Sequence, residues 1–443
     1  MKQPAGPGQW RNWAGTATAT PARWAQPRNE AEIAAAVKAA AAAGLQVRAL
    51  GSGHSFTPAA ATDGMALDLS LWTGITAADN RTGLVTVRSG TTLRALNAAL
   101  AELGLAMANL GDIDAQTIAG ALSTGTHGTG ARLGGLATQV EALDLILADG
   151  SLVTCSASAR PELFAAARVG LGALGVITAV TLRCEPSFTL AADERPMPVE
   201  LVIEEFDSLV ASNDHFEFYW FPYGRQALVK RNNRLAPGAS APAARMPGWR
   251  RFWEFEVMEN AAFGTLCRLG RAAPRFIPSL NRLSSAALSS RSYTDASYRV
   301  FVTPRRVRFV ESEYAVPRES LAGVLAELRR AVPRLAQPVM FPVEVRVAAA
   351  DDIWLSTAHG RDTAYVAIHQ YIGLPYRAYF DMFESVVAGV AARPHWGKLH
   401  SLDAGQLGPR YPRFDDFRRV RAEVDPEDRF GNPYLSRVLG PTG

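Results

Sequence analysis

Three cysteines, Cys155, Cys184 and Cys267, are all that a chain of 443 residues contains. The number is odd, no CxxC pair occurs and no adjacent histidine of the zinc-site kind is present, so neither a disulfide framework nor a metal site is expected. Long apolar runs are missing too. The opening residues hold Pro4, Gly6, Pro7 and Gly8 with no apolar stretch, and the alanine-rich run near residue 40 is amphipathic and too short to span a bilayer. A soluble, cytoplasmic protein with no transmembrane segment is the expectation. Charge of one sign is not in large excess, the formal net charge being +4. The arginine clusters at 305–308 and 418–421 are interleaved with acids or apolar residues and lack aromatic stacking platforms. Solvated faces account for them, and nucleic acid is not an expected partner. Tandem repeats are absent.

What is present is ordinary globular composition, 48% hydrophobic and 20% charged, in a chain too long for one typical core, so two domains are expected. Asn29 followed by Glu32, a run of strong helix formers and then Gly44 predict a helix over 30–43. Alternation over 45–50 predicts a strand that runs into the glycine loop 51–56. Further strands are expected over 65–69, 84–88, 140–147, 151–154 and 176–184, with a helix over 92–103, giving an α+β domain over 1–187. From 188 to 443 the texture shifts to longer strands (217–222, 339–347) and helices (318–331, 375–391). This predicts a second domain with a mainly antiparallel sheet flanked by helices, whose C-terminal segment returns toward the first. Residues 235–248, rich in Ala, Pro, Gly and Arg, read as a surface loop.

Three segments concentrate glycine, which permits positive φ and close backbone approach, so that a row of N–H groups can hold a pyrophosphate. Residues 170–175 match G-x-G-x-x-G, but that fingerprint needs a strand before it and a helix after it, and here the order is reversed. A nicotinamide Rossmann site is discounted. Gly51-Ser52-Gly53-His54-Ser55 and Ser123-Thr124-Gly125-Thr126-His127-Gly128-Thr129-Gly130 each combine glycine, hydroxyl donors and one histidine, and together suit a pyrophosphate gripped from both sides. Taken singly, either loop reads equally as a tight surface turn.

With Arg11-Asn12-Trp13-Ala14-Gly15, these two loops resemble the N-terminal FAD domain of the vanillyl-alcohol-oxidase superfamily, and within it the aldonolactone oxidoreductases and related alditol oxidases. The segments 216–222, Glu344-Val345-Arg346, His395-Trp396-Gly397-Lys398 and 432–435 resemble the substrate-domain signatures of the same family, so the similarity spans nearly the whole chain. The resemblance implies FAD attached covalently through His54, with Gly172, Gly175, Val176 and Ile177 joining the two loops in holding it. No cysteine accompanies the second loop, so a single histidyl link is implied.

Glu344 and Arg346, two apart in a strand, share a face, and in relatives that face meets the flavin. The implied roles are charge stabilisation by Arg346 and hydrogen bonding or general-base action by Glu344. Lys398 is implied to approach the flavin's N1 side, with His395 in the same short loop. His369 and Tyr371 alternate on a strand and are expected to line the substrate cavity; His215, His359 and His400 receive no role. The implied reaction oxidises a small polyhydroxylated molecule, first an aldono-1,4-lactone at C2 and next an alditol, with oxygen or another acceptor taking the electrons. A non-catalytic flavin-binding protein is the distant rival.

Overall fold

In a computed structural model of the chain, residues 8–236 and 238–442 are described. The first helix, Glu30–Ala42, begins where expected: the Asn29 side chain accepts from the Glu32 N–H at 2.9 Å, and Glu32 accepts from the Arg28 N–H at 2.8 Å. Such a cap contributes about 1 kcal/mol. Ile33, Val37 and Ala40 are its buried stripe, packed over a three-stranded parallel sheet of Arg23–Ala25, Met65–Asp68 and Val47–Leu50. A five-stranded antiparallel sheet lies beside it, in the order Leu152–Ser156, Val140–Ile146, Val176–Arg183, Leu84–Arg88, Ile75–Asp79. The pair Glu185–Pro186 still bonds to Leu105–Ala106, and from Thr189 the chain enters an eight-stranded antiparallel sheet. The fold is thus α+β with two sheet systems, and the eight-stranded sheet carries its helices on its flanks.

Some bounds differ from expectation for identifiable reasons. The strand expected over 339–347 is Val343–Ala348. Pro338 and Pro342 have no N–H to donate to a ladder, and two of the three N–H groups between them go to side chains, Val339 to the Tyr223 hydroxyl and Met340 to Gln370 Oε1. The helix expected over 375–391 is Arg377–Val387 plus one tight turn, stopped at Ala391, whose φ is +50°. Residues 318–320 form a 3₁₀ turn before Leu321–Ala331. The helices Gly248–Arg251, Phe252–Ala262, Phe263–Ala272 and Ile277–Ala286 have no counterpart among the expected elements.

The C-terminal segment packs back on the first sheets: the Val47 N–H donates to Arg429 O, and Asn432 Nδ2 donates to the carbonyls of Pro58, Ala59 and Ala61. Arg48 ties three stretches together. Its buried guanidinium donates to Ala59 O (2.6 Å), Leu171 O (2.7 Å), Gly172 O (2.9 Å) and Phe430 O (2.6 Å). Two of these acceptors belong to a turn in the left-handed region, Leu171 at φ +53° and Gly172 at +65°, which leucine adopts only when its surroundings enforce it. Burial, helped by Arg421, lowers the Arg48 pKa to about 10, so the charge persists at neutral pH. Two arginines of the clusters expected on solvated faces are not there. Arg421 is 1% exposed, bonded to Gly440 O and Asp428, and Arg305 faces a cavity. Arg306, Arg418 and Arg419 do lie on the surface, Arg306 and Arg419 in ion pairs with Glu256 and Glu162.

Candidate active site

Two cavities share His54, Ser55, Gln116 and Thr124: a narrow one of about 110 Å³ and a wide one of about 640 Å³. The narrow one is lined by Gly51, Ser52 and Gly53 at the end of Val47–Leu50, and by Ser123, Gly172 and Ile177. Gly53 has φ +72°, and a Cβ on Gly51 would lie 2.8 Å from Thr117 Oγ1, so the loop requires both glycines. The Ser89 hydroxyl on this wall is buried and has no protein partner. A glycine-walled slot with an orphaned hydroxyl, opening at a histidine into a wider chamber, fits a dinucleotide laid lengthwise.

The other expected cofactor contacts divide. Gly175 lines the slot, whereas Val176, on the opposite face of its strand from Ile177, is buried against Ile33 and Val37. In the second loop Ser123 and Thr124 line the slot, Thr126 and His127 turn into the wide cavity, and Gly125 makes a positive-φ turn. Gly128 and Gly130 leave the slot altogether. A Cβ on Gly128 would lie 2.3 Å from Leu110 O, and the Gly130 N–H donates to Val347 O at 2.9 Å. The stretch 128–130 is therefore seam backbone bonded to the large sheet and does not line the slot, whereas Ser89, Thr117 and Ala119 do.

Four neighbouring strands of the large sheet supply the floor of the wide cavity. Tyr219 pairs with Glu344, Glu344 with Ala367, Ala367 with Glu313, and His369 with Glu311. Because side chains alternate along a strand, this register brings Glu217, Tyr219, Glu344, Arg346, Tyr365, His369, Glu311 and Glu313 to one face. Arg346 is the hub: its Nη2 lies 2.5 Å from Glu344 Oε1 and 2.7 Å from Asp112 Oδ1, and its Nε 2.8 Å from Glu217 Oε2. The Tyr219 hydroxyl donates to Glu344 at 3.1 Å, and Arg305 holds the second Asp112 oxygen at 2.6 Å. Despite touching Arg346, the Glu344 carboxyl has its pKa raised, because burial and the neighbouring Asp112 and Glu217 outweigh a guanidinium shared three ways. Burial also opposes ionisation of Asp112, but Arg346, Arg305 and Lys230 overrule it and hold the carboxylate well below its usual range.

The far side holds Lys398, with Nζ against Glu311 and 3.6 Å from Glu313. Burial lowers its pKa and these two carboxylates raise it further, for a net rise. His127 donates through Nδ1 to Gly128 O, and its Nε2 lies 2.5 Å from Glu313 Oε1, its ring stacked on Tyr365. His369 Nδ1 donates to Pro342 O, so Nε2 faces Glu311 at 3.5 Å and Glu344 at 3.9 Å. His395 Nδ1 accepts from the Gly397 N–H, and burial lowers its pKa to about 4, leaving it neutral. Tyr371, expected in the cavity, is not among its lining: its ring stacks on Phe341 in an adjoining apolar cluster. Trp13, Phe56, Phe309 and Phe341 form the apolar wall, and Trp13 stacks on His54 at 5.8 Å.

Asp112, Arg305, Glu217, Glu311 and Glu313 had no site role in the sequence reading. The strand pairs Glu217/Tyr219 and Glu311/Glu313 carry a signal, acids at alternate positions of apolar strands; Asp112 and Arg305 sit on loops and carry none.

A profile described as D-arabinono-1,4-lactone oxidase matches residues 180–438, and one described as FAD binding domain matches residues 21–156. The chain is 44% identical to the L-gulono-1,4-lactone dehydrogenase of Mycobacterium tuberculosis over 98% of its length and 99% of that protein's. It is 32% identical to the L-gulonolactone oxidase of Mus musculus (97% and 98%) and 31% identical to an alditol oxidase of a Streptomyces species (97% and 98%). Among solved structures, a solvent-stable cholesterol oxidase shares the fold, with a TM-score of 0.83 at 20% identity, covering 98% of this chain and 97% of the other. With the slot, the cavity and both profiles in agreement, the chain belongs to the D-arabinono-1,4-lactone oxidase family and is an FAD-dependent oxidoreductase.

Proposed function

We propose that the chain oxidises an aldono-1,4-lactone of the gulono, galactono or arabinono kind at C2, working in the cytoplasm with FAD tethered through His54. The observation that carries this reading is the Glu344–Arg346 pair, buried on the floor of a polar cavity whose other end opens at His54. Bound FAD supplies the hydride acceptor for the C2 carbon, and oxygen or another acceptor then takes the electrons. Glu344 accepts the proton of the C2 hydroxyl, a role suited to a carboxyl whose pKa is raised toward neutrality. Arg346 Nη2, fixed by Asp112, supports the negative charge growing on that oxygen. Loss of one proton and one hydride leaves a 2-keto lactone, which enolises to an ascorbate-type enediol. Trp13, Phe56, Phe309 and Phe341 exclude water from one wall.

Steady-state kcat/KM for L-gulono-1,4-lactone and for xylitol, with an artificial electron acceptor, tests the substrate. The lactone is expected to lead by at least about tenfold, one missing set of transition-state contacts; preference for xylitol would replace the lactone reading with alditol oxidation. For the tether, burial and nearby positive charge push the His54 pKa down to about 4, leaving a neutral ring with a free lone pair at neutral pH. Flavin fluorescence is expected to comigrate with the denatured wild-type band on a gel and to vanish in His54→Ala. A dark wild-type band, with flavin retention unaltered by the substitution, would refute the link.

A further inference from the structure

Ten large hydrophobic residues are markedly exposed among the described residues, and seven of them fall within 249–283. Trp249 is 74% and Phe252 62% exposed, with Trp253, Leu269, Phe276 and Leu283 following along the helices that continue from Gly248 to Ala286. In Phe263–Ala272 the exposed positions are 265, 268, 269 and 272, with 271 at their edge, and in Ile277–Ala286 they are 279, 282, 283 and 286. Apart from 271, each set follows the i, i+3, i+4, i+7 spacing of one helical face. Arg268, Arg271, Arg275 and Arg282 lie exposed among these apolar side chains, and no ion pair to a carboxylate forms with any of them among the described residues. The acids of the same segment are already engaged: Glu254 and Glu259 with Arg291, Glu256 with Arg306. The face left over is aromatic, aliphatic and positive.

From this arrangement we infer that the outer face of residues 249–283 docks on the surface of an anionic lipid bilayer. Tryptophan and phenylalanine settle at the headgroup level, and arginines between them reach lipid phosphates while their stems cover apolar surface. Single apolar residues separated by unpaired cations are the pattern of an interfacial helix, whereas the centre of a protein–protein interface is depleted of charge. No described helix is long and apolar enough to cross a membrane, so the docking is peripheral. The inner side of the same segment, through Arg251, Glu256, Glu259, Asn260 and Phe263, lines the wide cavity, which places the lipid surface behind one wall of the catalytic chamber.

The test uses the FAD-loaded full chain and extruded vesicles, either of phosphatidylglycerol and phosphatidylcholine in equal parts or of phosphatidylcholine alone. Cosedimentation with the anionic vesicles at low salt, its loss at high salt, its absence with phosphatidylcholine alone and a blue shift of tryptophan emission are expected. The combined variants Trp249→Ser/Phe252→Ser/Trp253→Ser and Arg268→Gln/Arg275→Gln/Arg282→Gln are expected to weaken binding at least about tenfold while keeping wild-type circular dichroism and FAD content. Three results would overturn the inference: no binding to anionic vesicles at low salt, equal binding by both variants, or a dimer in solution that the tryptophan variant dissociates, which would make a second copy of the chain the occupant.

Discussion

Arg346→Met is expected to lower kcat by about 10²–10³, the usual cost of deleting a donor aimed at developing charge, and to cost about 3–5 kcal/mol of stability, as breaking a buried ionic cluster does. Both follow from one geometry, in which a single guanidinium contacts Asp112, Glu217 and Glu344. The stability loss carries a pH signature. In the wild type the folded-state pKa of Asp112 is depressed, so its contribution is present above the unfolded value and is lost as pH falls through the folded one. Without Arg346 the folded pKa values of Asp112 and Glu344 rise, the native state binds more protons than the unfolded chain, and the variant loses stability as pH increases. Urea midpoints should therefore differ most near neutrality and converge toward pH 4. A pH-independent gap would mean that the loss is one of packing alone. Arg346→Lys should recover part of the stability and little of the rate, because an ammonium cannot span the carboxylates as the planar fork does.

Arg48→Met is expected to destabilise by about 3–5 kcal/mol, since the hydrogen bonds it removes are charge-assisted and leave the carbonyls of Ala59, Leu171, Gly172 and Phe430 buried without that donor. Methionine roughly keeps the volume, so the loss reports the bonds. The turn at Leu171 and Gly172 lines the narrow slot, and its left-handed backbone is expected to relax when its two carbonyls are freed. FAD content of the purified variant should fall with the urea midpoint. A lowered midpoint with full FAD content would show that Arg48 secures the C-terminal segment but not the slot.

Much of this was legible in the sequence where one local rule governed. The helix over 30–42 declared itself through Asn29, Glu32 and Gly44, and Gly51 and Gly53 declared a loop that needs positive φ or close approach. Glu344 and Arg346 were placed on one face by strand alternation alone. What was hidden depends on contacts distant in sequence. Arg305 reads as surface in the context of 305–308 and becomes cavity lining only because Asp112, 193 residues earlier, meets it. Gly128 and Gly130 have the composition of a phosphate loop, yet Gly128 lies close against the Leu110 carbonyl and the Gly130 N–H donates to Val347 O in the large sheet. Tyr371 follows the alternation correctly and still misses the cavity, because Phe341 closes the wall in front of it.

Anaerobic rapid mixing of the purified, FAD-loaded enzyme with L-gulono-1,4-lactone, followed by flavin absorbance across pH, tests the central claim most directly. Bleaching is expected at a rate that falls on the acid side through a pKa above the ordinary glutamate range, because a raised Glu344 carboxyl must be ionised to take the hydroxyl proton. Flavin that stays oxidised with the lactone at every pH, or a rate with no acid limb, would contradict it.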